Sequence, residues 1–137
     1  MKSLSSVRTL FGIAAAYDGL LGLAFLAAGP GIYSHFQITP PNHWGYVHFS
    51  AGILVIFGWM FLEIARKPVE SRNLVPYGIL LKICYVATVA WYWVNGDVPA
   101  MWKWFAAADA IFAVLFVWSL RALKLGTAQG SAREGAA

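Results

Sequence analysis

The sequence has little charge for its length. Only 12% of its 137 residues are charged, whereas 60% are hydrophobic, and the mean hydropathy is +0.63. An ordinary soluble domain carries about twice that charged fraction. The composition therefore excludes a water-soluble domain. The length allows about four membrane helices of ~20 residues each, with short connections.

Residues that usually carry chemistry are also scarce. The single cysteine, Cys84, lies in an apolar run and can form no intramolecular disulfide. Of the three histidines, His35, His43 and His48, the last two are five residues apart, so a continuous helix would not place them on one face. We therefore expect no metal site. No nucleophile and base pair, phosphate-binding glycine loop or zinc spacing supports an enzyme, and the identity of any cofactor is left open.

What the sequence does have is long apolar runs. Four of them, at about residues 7–28, 44–65, 74–94 and 101–123, are long enough to cross a hydrocarbon core of ~30 Å. Each is expected to be a helix, because the backbone in hydrocarbon must satisfy its own hydrogen bonds. The fold class predicted is an all-α, polytopic bundle of four transmembrane helices. Residues 1–125 form its single domain, and the small, polar residues 126–137 form a disordered cytoplasmic tail.

Glycine and proline mark the connections between these runs. Gly29-Pro30-Gly31 is expected to end the first span in a chain turn, and Asn95-Gly96 ends the third. Glu63 is expected to pair with Arg66 or Lys67 where the second span ends.

The basic residues orient the bundle. Lys103 is the only Lys or Arg in the connections after the first and third spans. The opposite side holds eight: Lys2, Arg8, Arg66, Lys67, Arg72, Arg121, Lys124 and Arg133. The positive-inside rule then predicts both termini in the cytoplasm and a multi-pass protein of the inner (plasma) membrane. Because these residues form no stripe with interleaved aromatics, nucleic acid is excluded as a partner.

Three ionisable residues lie deep within the predicted spans. At ~1.5 Å per residue, Asp18 is ~15 Å, Lys82 ~12 Å and Asp109 ~18 Å from the cytoplasmic ends of their helices. An unpaired charge at the bilayer centre costs at least ~2.5 to 3.5 kcal/mol. We therefore predict an intramembrane polar network in which Lys82 binds Asp18 while Asp109 competes for or shares the ammonium. The surplus carboxyl is expected to be protonated.

Simpler interpretations of these three residues stay open. Lys82 has a stem long enough to carry its ammonium toward the cytoplasmic interface. Each aspartate could instead be protonated and bonded to backbone, and so only fix the register of its helix.

A ligand pocket is predicted at the outer ends of the spans. Tryptophans cluster there as in an interfacial aromatic belt, whereas the opposite rim is charged. The pocket candidates are Tyr46, His48, Tyr85, Trp93 and Trp102.

The sequence resembles a known family of membrane proteins. AAAYDGLLGLAFLAAGP, an outer loop ending in PPNHWGY, the glycine-punctuated AGILVIFGWMFLEIAR and a last span with Asp109 are similar to the DoxX-like group of small four-helix bacterial membrane proteins, over about residues 10–122. The resemblance implies a compact bundle associated with respiratory, quinone-linked or sulfur-redox partners.

Two functions compete. The first is a non-catalytic membrane protein that holds a hydrophobic small molecule, such as a quinone, or serves as an accessory subunit of a larger membrane complex or a homo-oligomer. The second is a proton-coupled transporter or channel element that uses Asp18 and Asp109. Small multidrug transporters also carry an acidic residue in the middle of their first span, but assembly from oppositely oriented copies is incompatible with the strong charge bias of this chain.

Overall fold

Four long α-helices make up the structure. A computed structural model describes residues 2–134, with side chains for residues 3–125. The helices are α1 (Lys2–His35), α2 (Gly45–Arg66), α3 (Val75–Asn95) and α4 (Ala100–Glu134), and a 3₁₀ turn (Arg72–Leu74) precedes α3. The described residues form no strand, and each α-helix contains a segment long and apolar enough to cross a membrane. The prediction of an all-helical chain with four such segments is confirmed.

The end of α1 differs from the prediction. Gly29-Pro30-Gly31 does not end the helix in a turn; instead, α1 kinks at Ala28 (φ −135°, ψ 19°) and continues to His35. Proline lacks the N–H that an uninterrupted helix needs, and its ring clashes with the carbonyl four residues back. In the first turn of a new helical segment neither requirement applies, because that N–H would be unpaired in any case.

At the other end of the chain, α4 is longer than the predicted span. The apolar run ends near Leu123, whereas the helix is continuous to Glu134. The helix thus includes residues 126–134 of the segment whose composition predicts a disordered tail. Residues 135–137 of that tail lie outside the described residues.

The helices are arranged as two antiparallel hairpins, α1 with α2 and α3 with α4. Glycine brings α1 and α2 together: a Cβ added at Gly22 would lie 2.5 Å from the Ala51 carbonyl oxygen, and one at Gly58 would lie 2.8 Å from the Gly19 nitrogen. Such close backbone approach is typical of membrane helix pairs, which associate through van der Waals packing of small residues. Contacts between the two hairpins are less extensive.

One end of the bundle is filled with phenylalanine. The rings of Phe11 and Phe116 stack with centroids 4.6 Å apart, and Phe61 lies 5.1 Å from Phe116. These rings form a buried core with Val7, Ile64 and Val75. Arg8, Arg66 and Arg121 lie at the same end, which we call the basic end. The opposite end, with Trp44, Trp93 and Trp104, is the aromatic end.

The distribution of polarity is the reverse of that in a soluble bundle. Charged residues are buried at the centre, whereas large apolar side chains are exposed along every helix. An apolar surface of this extent is a contact surface for lipid or for another protein. The exposed residues include Ile13, Leu20 and Leu23 on α1, Phe49, Ile56 and Trp59 on α2, Tyr77, Leu80 and Ile83 on α3, and Ile111, Val114 and Trp118 on α4.

Candidate functional site: a buried ion triad

The candidate site is built by one charged residue from each of three helices. Asp18 lies near the middle of α1, Lys82 in the second turn of α3 and Asp109 in the third turn of α4. Asp18 and Lys82 have no exposed surface, and Asp109 is 6% exposed. The structure thus brings together the three residues that the sequence places at one depth. We call them the triad.

Lys82 is the centre of the triad. Its ammonium donates hydrogen bonds to both carboxylate oxygens of Asp18, with Nζ 2.6 Å from Oδ1 and 2.9 Å from Oδ2. Asp109 Oδ1 lies 2.9 Å from the same Nζ as an ion pair, without the alignment of a hydrogen bond. The ammonium therefore binds both aspartates and does not reach toward a helix end, so the interfacial position considered for Lys82 is not adopted.

Aromatic rings surround the same ammonium. Nζ lies 5.2 Å from the centroid of the Tyr17 ring, 5.4 Å from that of Phe112 and 5.9 Å from that of Phe61. Rings at these distances attract a cation through their quadrupole, and the attraction is larger where water is excluded. All four helices thus contribute to the surroundings of Lys82, because Phe61 comes from α2.

Other residues of the chain continue the packing around the triad. Phe61 is part of the phenylalanine core of the basic end. Tyr17, whose hydroxyl is buried without a hydrogen-bond partner, contacts Phe112, which in turn contacts Phe116 of that core. Tyr85 interacts electrostatically with Asp109. The pattern of charges predicts the triad, but not the rings around it.

Two of these rings had a signal in the sequence. Tyr17 directly precedes Asp18, and Phe112 lies three residues after Asp109, on the same helical face. Phe61 had no such signal, since its position beside Lys82 depends on how α2 packs against the other helices.

The residues predicted to line a ligand pocket do not line the concavity at the aromatic end. Tyr46, His48 and Trp93 are exposed, and Trp102 and Tyr85 are partly buried. That concavity, of about 380 Å³, is lined instead by residues of the two connections at that end and by the first two residues of α4: Phe36, Gln37, Ile38, Thr39, Asp97, Pro99, Ala100 and Met101. None of the five predicted residues lines it. The prediction used distance along the helix axis alone, whereas lining a pocket also depends on the face that each residue occupies.

The histidines do not form a metal site. Among the described residues, no group of three or more His, Cys, Asp or Glu side chains is placed to hold a metal ion. His43 has a local role: its Nδ1 accepts a hydrogen bond from the Gly45 backbone N–H at 3.0 Å, at the start of α2.

The predicted ion pair of Glu63 is also absent from the described residues. Lys67 instead lies 3.9 Å from Glu70, and both side chains are largely exposed. Glu63 contributes its backbone carbonyl, which accepts the Lys67 N–H and completes the last turn of α2.

The fold and the triad define a class: four helices of membrane-crossing length and composition, arranged as two hairpins and joined by a buried Asp–Lys–Asp contact. Comparison of the chain with protein-family models, with curated proteins and with solved structures gives no match.

Proposed function

We propose that the chain is a multi-pass membrane protein of the inner membrane, with both termini on the cytoplasmic side. Its four apolar helices and the exposed apolar side chains along them support insertion. The charge distribution supports the orientation, since the basic end carries eight basic residues and the aromatic end only Lys103.

Within the membrane, we infer that the chain works as an accessory subunit or as a holder of a hydrophobic molecule such as a quinone. This inference rests on one observation: the Lys82 ammonium has its partners within the chain. It contacts two carboxylates and three aromatic rings. Such a centre fixes the two hairpins relative to each other. The surfaces that remain for a partner or a ligand are the lateral apolar faces and the aromatic end.

The resemblance to DoxX-like proteins supports a respiratory or redox assembly as the setting. Cys84 has an exposed side chain and is the only cysteine, so the chain brings no thiol pair of its own. In this proposal any redox chemistry belongs to the partner or to the bound molecule.

Copurification tests this proposal. The tagged chain is extracted from membranes in mild detergent, and accompanying chains and lipophilic compounds are identified by mass spectrometry. We expect one partner chain or one hydrophobic compound in near-stoichiometric amount. Lys82→Met should lose it, because the hairpins are no longer held together, whereas the control Lys103→Met should retain it. Recovery of the unmodified chain with bulk phospholipid alone would contradict the proposal.

A proton-coupled transporter is the second candidate, favoured by a specific observation. Two carboxyl groups share one ammonium, and Asp109 Oδ1 and the Tyr17 hydroxyl are buried without hydrogen bonds. These groups could exchange a proton if the phenylalanine core opened. Uptake into proteoliposomes that requires a proton gradient and is abolished in both Asp18→Asn and Asp109→Asn would establish this function in place of the first.

A further inference from the structure

A second polar feature lies at the basic end, outside the triad. A concavity of about 210 Å³ opens between the beginning of α1 and the turn that follows α2. Its charged lining consists of Arg8, Arg66, Lys67 and Glu70. Three cations and one carboxylate therefore line a small, open concavity.

Two of the three cations have no anionic partner among the described residues. Lys67 is near Glu70, at 3.9 Å, but among the described residues neither Arg8 nor Arg66 forms an ion pair. Glu63, the other acidic residue near the end of α2, forms none either. Both arginine residues are exposed, and each guanidinium carries five N–H donors that can bind an external anion.

The remaining lining is apolar. Leu4 is half-buried, Pro68 is buried, and Val69 is 44% exposed on the same wall as the basic residues. Arginine matches the geometry of a phosphate with paired donors, and apolar side chains beside it suit the hydrocarbon that continues from a lipid headgroup. A free phosphate would gain nothing from the apolar wall.

We propose that this concavity binds the phosphate of an anionic phospholipid, with Arg8 and Arg66 as the principal ligands. The proposal rests on the membrane placement proposed above. That placement puts the beginning of α1 and the end of α2 at headgroup level, in the leaflet where anionic lipids attract basic residues. The bound lipid would bridge the first turns of α1 and the last residue of α2, at the side of the bundle opposite the outer loops.

Native mass spectrometry of the full chain in neutral detergent tests the proposal. The probes are phosphatidylglycerol, phosphatidylcholine with the same acyl chains, and inorganic phosphate. We expect one phosphatidylglycerol per chain, bound more tightly than phosphatidylcholine. Arg8→Gln/Arg66→Gln should weaken that binding about thirtyfold. The control Arg121→Gln/Lys124→Gln removes the same charge from the same end, outside the concavity, and should change it less than about threefold.

Three results would overturn the proposal. One is equal weakening in both double variants, which indicates general surface attraction, and another is equal binding of the two lipids. The third is arginine-dependent binding of inorganic phosphate without binding of phosphatidylglycerol, which makes free phosphate the ligand. Thermal unfolding of each variant is measured alongside, and unchanged midpoints show that the fold is intact. Recovery of the chain in the soluble fraction without detergent refutes the membrane placement, and this result is obtained before lipid is added.

Discussion

Lys82 is the residue on which the triad depends. Lys82→Met would leave two buried carboxylates facing each other without a cation, and removing one partner of a buried pair typically costs ~3 to 5 kcal/mol. Asp18→Asn or Asp109→Asn would cost less, because the other carboxylate still neutralises the ammonium. We expect the free energy of unfolding in detergent to fall most for Lys82→Met, then for Asp18→Asn, which loses one of the two oxygens that accept from the ammonium, and least for Asp109→Asn.

A lysine outside the triad provides the control for this series. Lys103 contacts the exposed Asp97 at 3.7 Å and the Trp93 ring at 4.6 Å. Lys103→Met is expected to cost less than about 1 kcal/mol, as an exposed ion pair does. Equal losses for the two lysine variants would show that Lys82 is not held by charge.

The coupling between Lys82 and Asp18 can be measured by a double-mutant cycle. Replacing both partners of a buried pair by apolar residues of similar volume is often nearly neutral. Asp18→Leu/Lys82→Met should therefore be more stable in thermal unfolding than Lys82→Met alone, by at least about 1 kcal/mol. If instead the loss equals the sum of the two single losses, the residues are not coupled and each acts through its own helix.

Some residues of the candidate site can be predicted from the sequence, and others cannot. Asp18, Lys82 and Asp109 could be grouped because a charge in an apolar run is costly and because helical rise converts residue number into depth. The pocket residues Tyr46, His48 and Trp93 could not be grouped by the same method. They share a depth, but no energetic penalty requires them to face one another, and in the structure they are exposed.

Among the helical elements, α1 and α2 depend on glycine for their close approach. A Cβ at Gly58 would lie 2.8 Å from the Gly19 nitrogen and 3.1 Å from the Ala15 carbonyl oxygen, and backbone atoms cannot move aside as a side chain can. Gly58→Ala is expected to lower the free energy of unfolding by about 1 to 3 kcal/mol, the usual cost of overpacking. Unfolding in detergent measures this loss.

Gly52, on the same helix, is the matched control. A Cβ there would meet no heavy atom within 4 Å, so Gly52→Ala should leave stability unchanged or raise it by up to ~1 kcal/mol through helix propensity. Loss of stability in Gly52→Ala comparable to that in Gly58→Ala would indicate that alanine is unfavourable throughout α2, and that close packing at Gly58 is not the cause.

Helix ends are predicted well where hydrophobicity and turn residues agree. α2 and α3 begin and end within about one residue of the predicted spans, since hydrophobicity and turn residues change at the same positions. At α1 the two signals conflict. Pro30 indicates a break, but apolar residues continue beyond it, and the Tyr33 ring packs against Trp44 at the start of α2, with centroids 5.2 Å apart. The kink at Ala28 accommodates both the proline and the continuing apolar segment.

For the whole molecule, the triad compensates for a weak connection between its halves. The hairpins α1/α2 and α3/α4 are each closely packed, whereas contacts between them are fewer. Asp18 comes from the first hairpin, and Lys82 and Asp109 come from the second. In a bilayer, where apolar faces gain little from meeting each other, a buried ion contact of this kind selects one relative arrangement of the hairpins.

The orientation proposed for the whole chain rests on the charge at its two ends. Insertion that places the basic end outside would carry eight basic residues across the membrane, against one for the opposite orientation. Single cysteines introduced in a Cys84→Ala background test this: Thr39→Cys, between α1 and α2, should react with an impermeant thiol reagent in intact cells. Ser71→Cys, between α2 and α3, should react only after the membrane is opened. The reverse labelling pattern would overturn the orientation, and labelling of both sites in intact cells would overturn the prediction that α2 crosses the membrane.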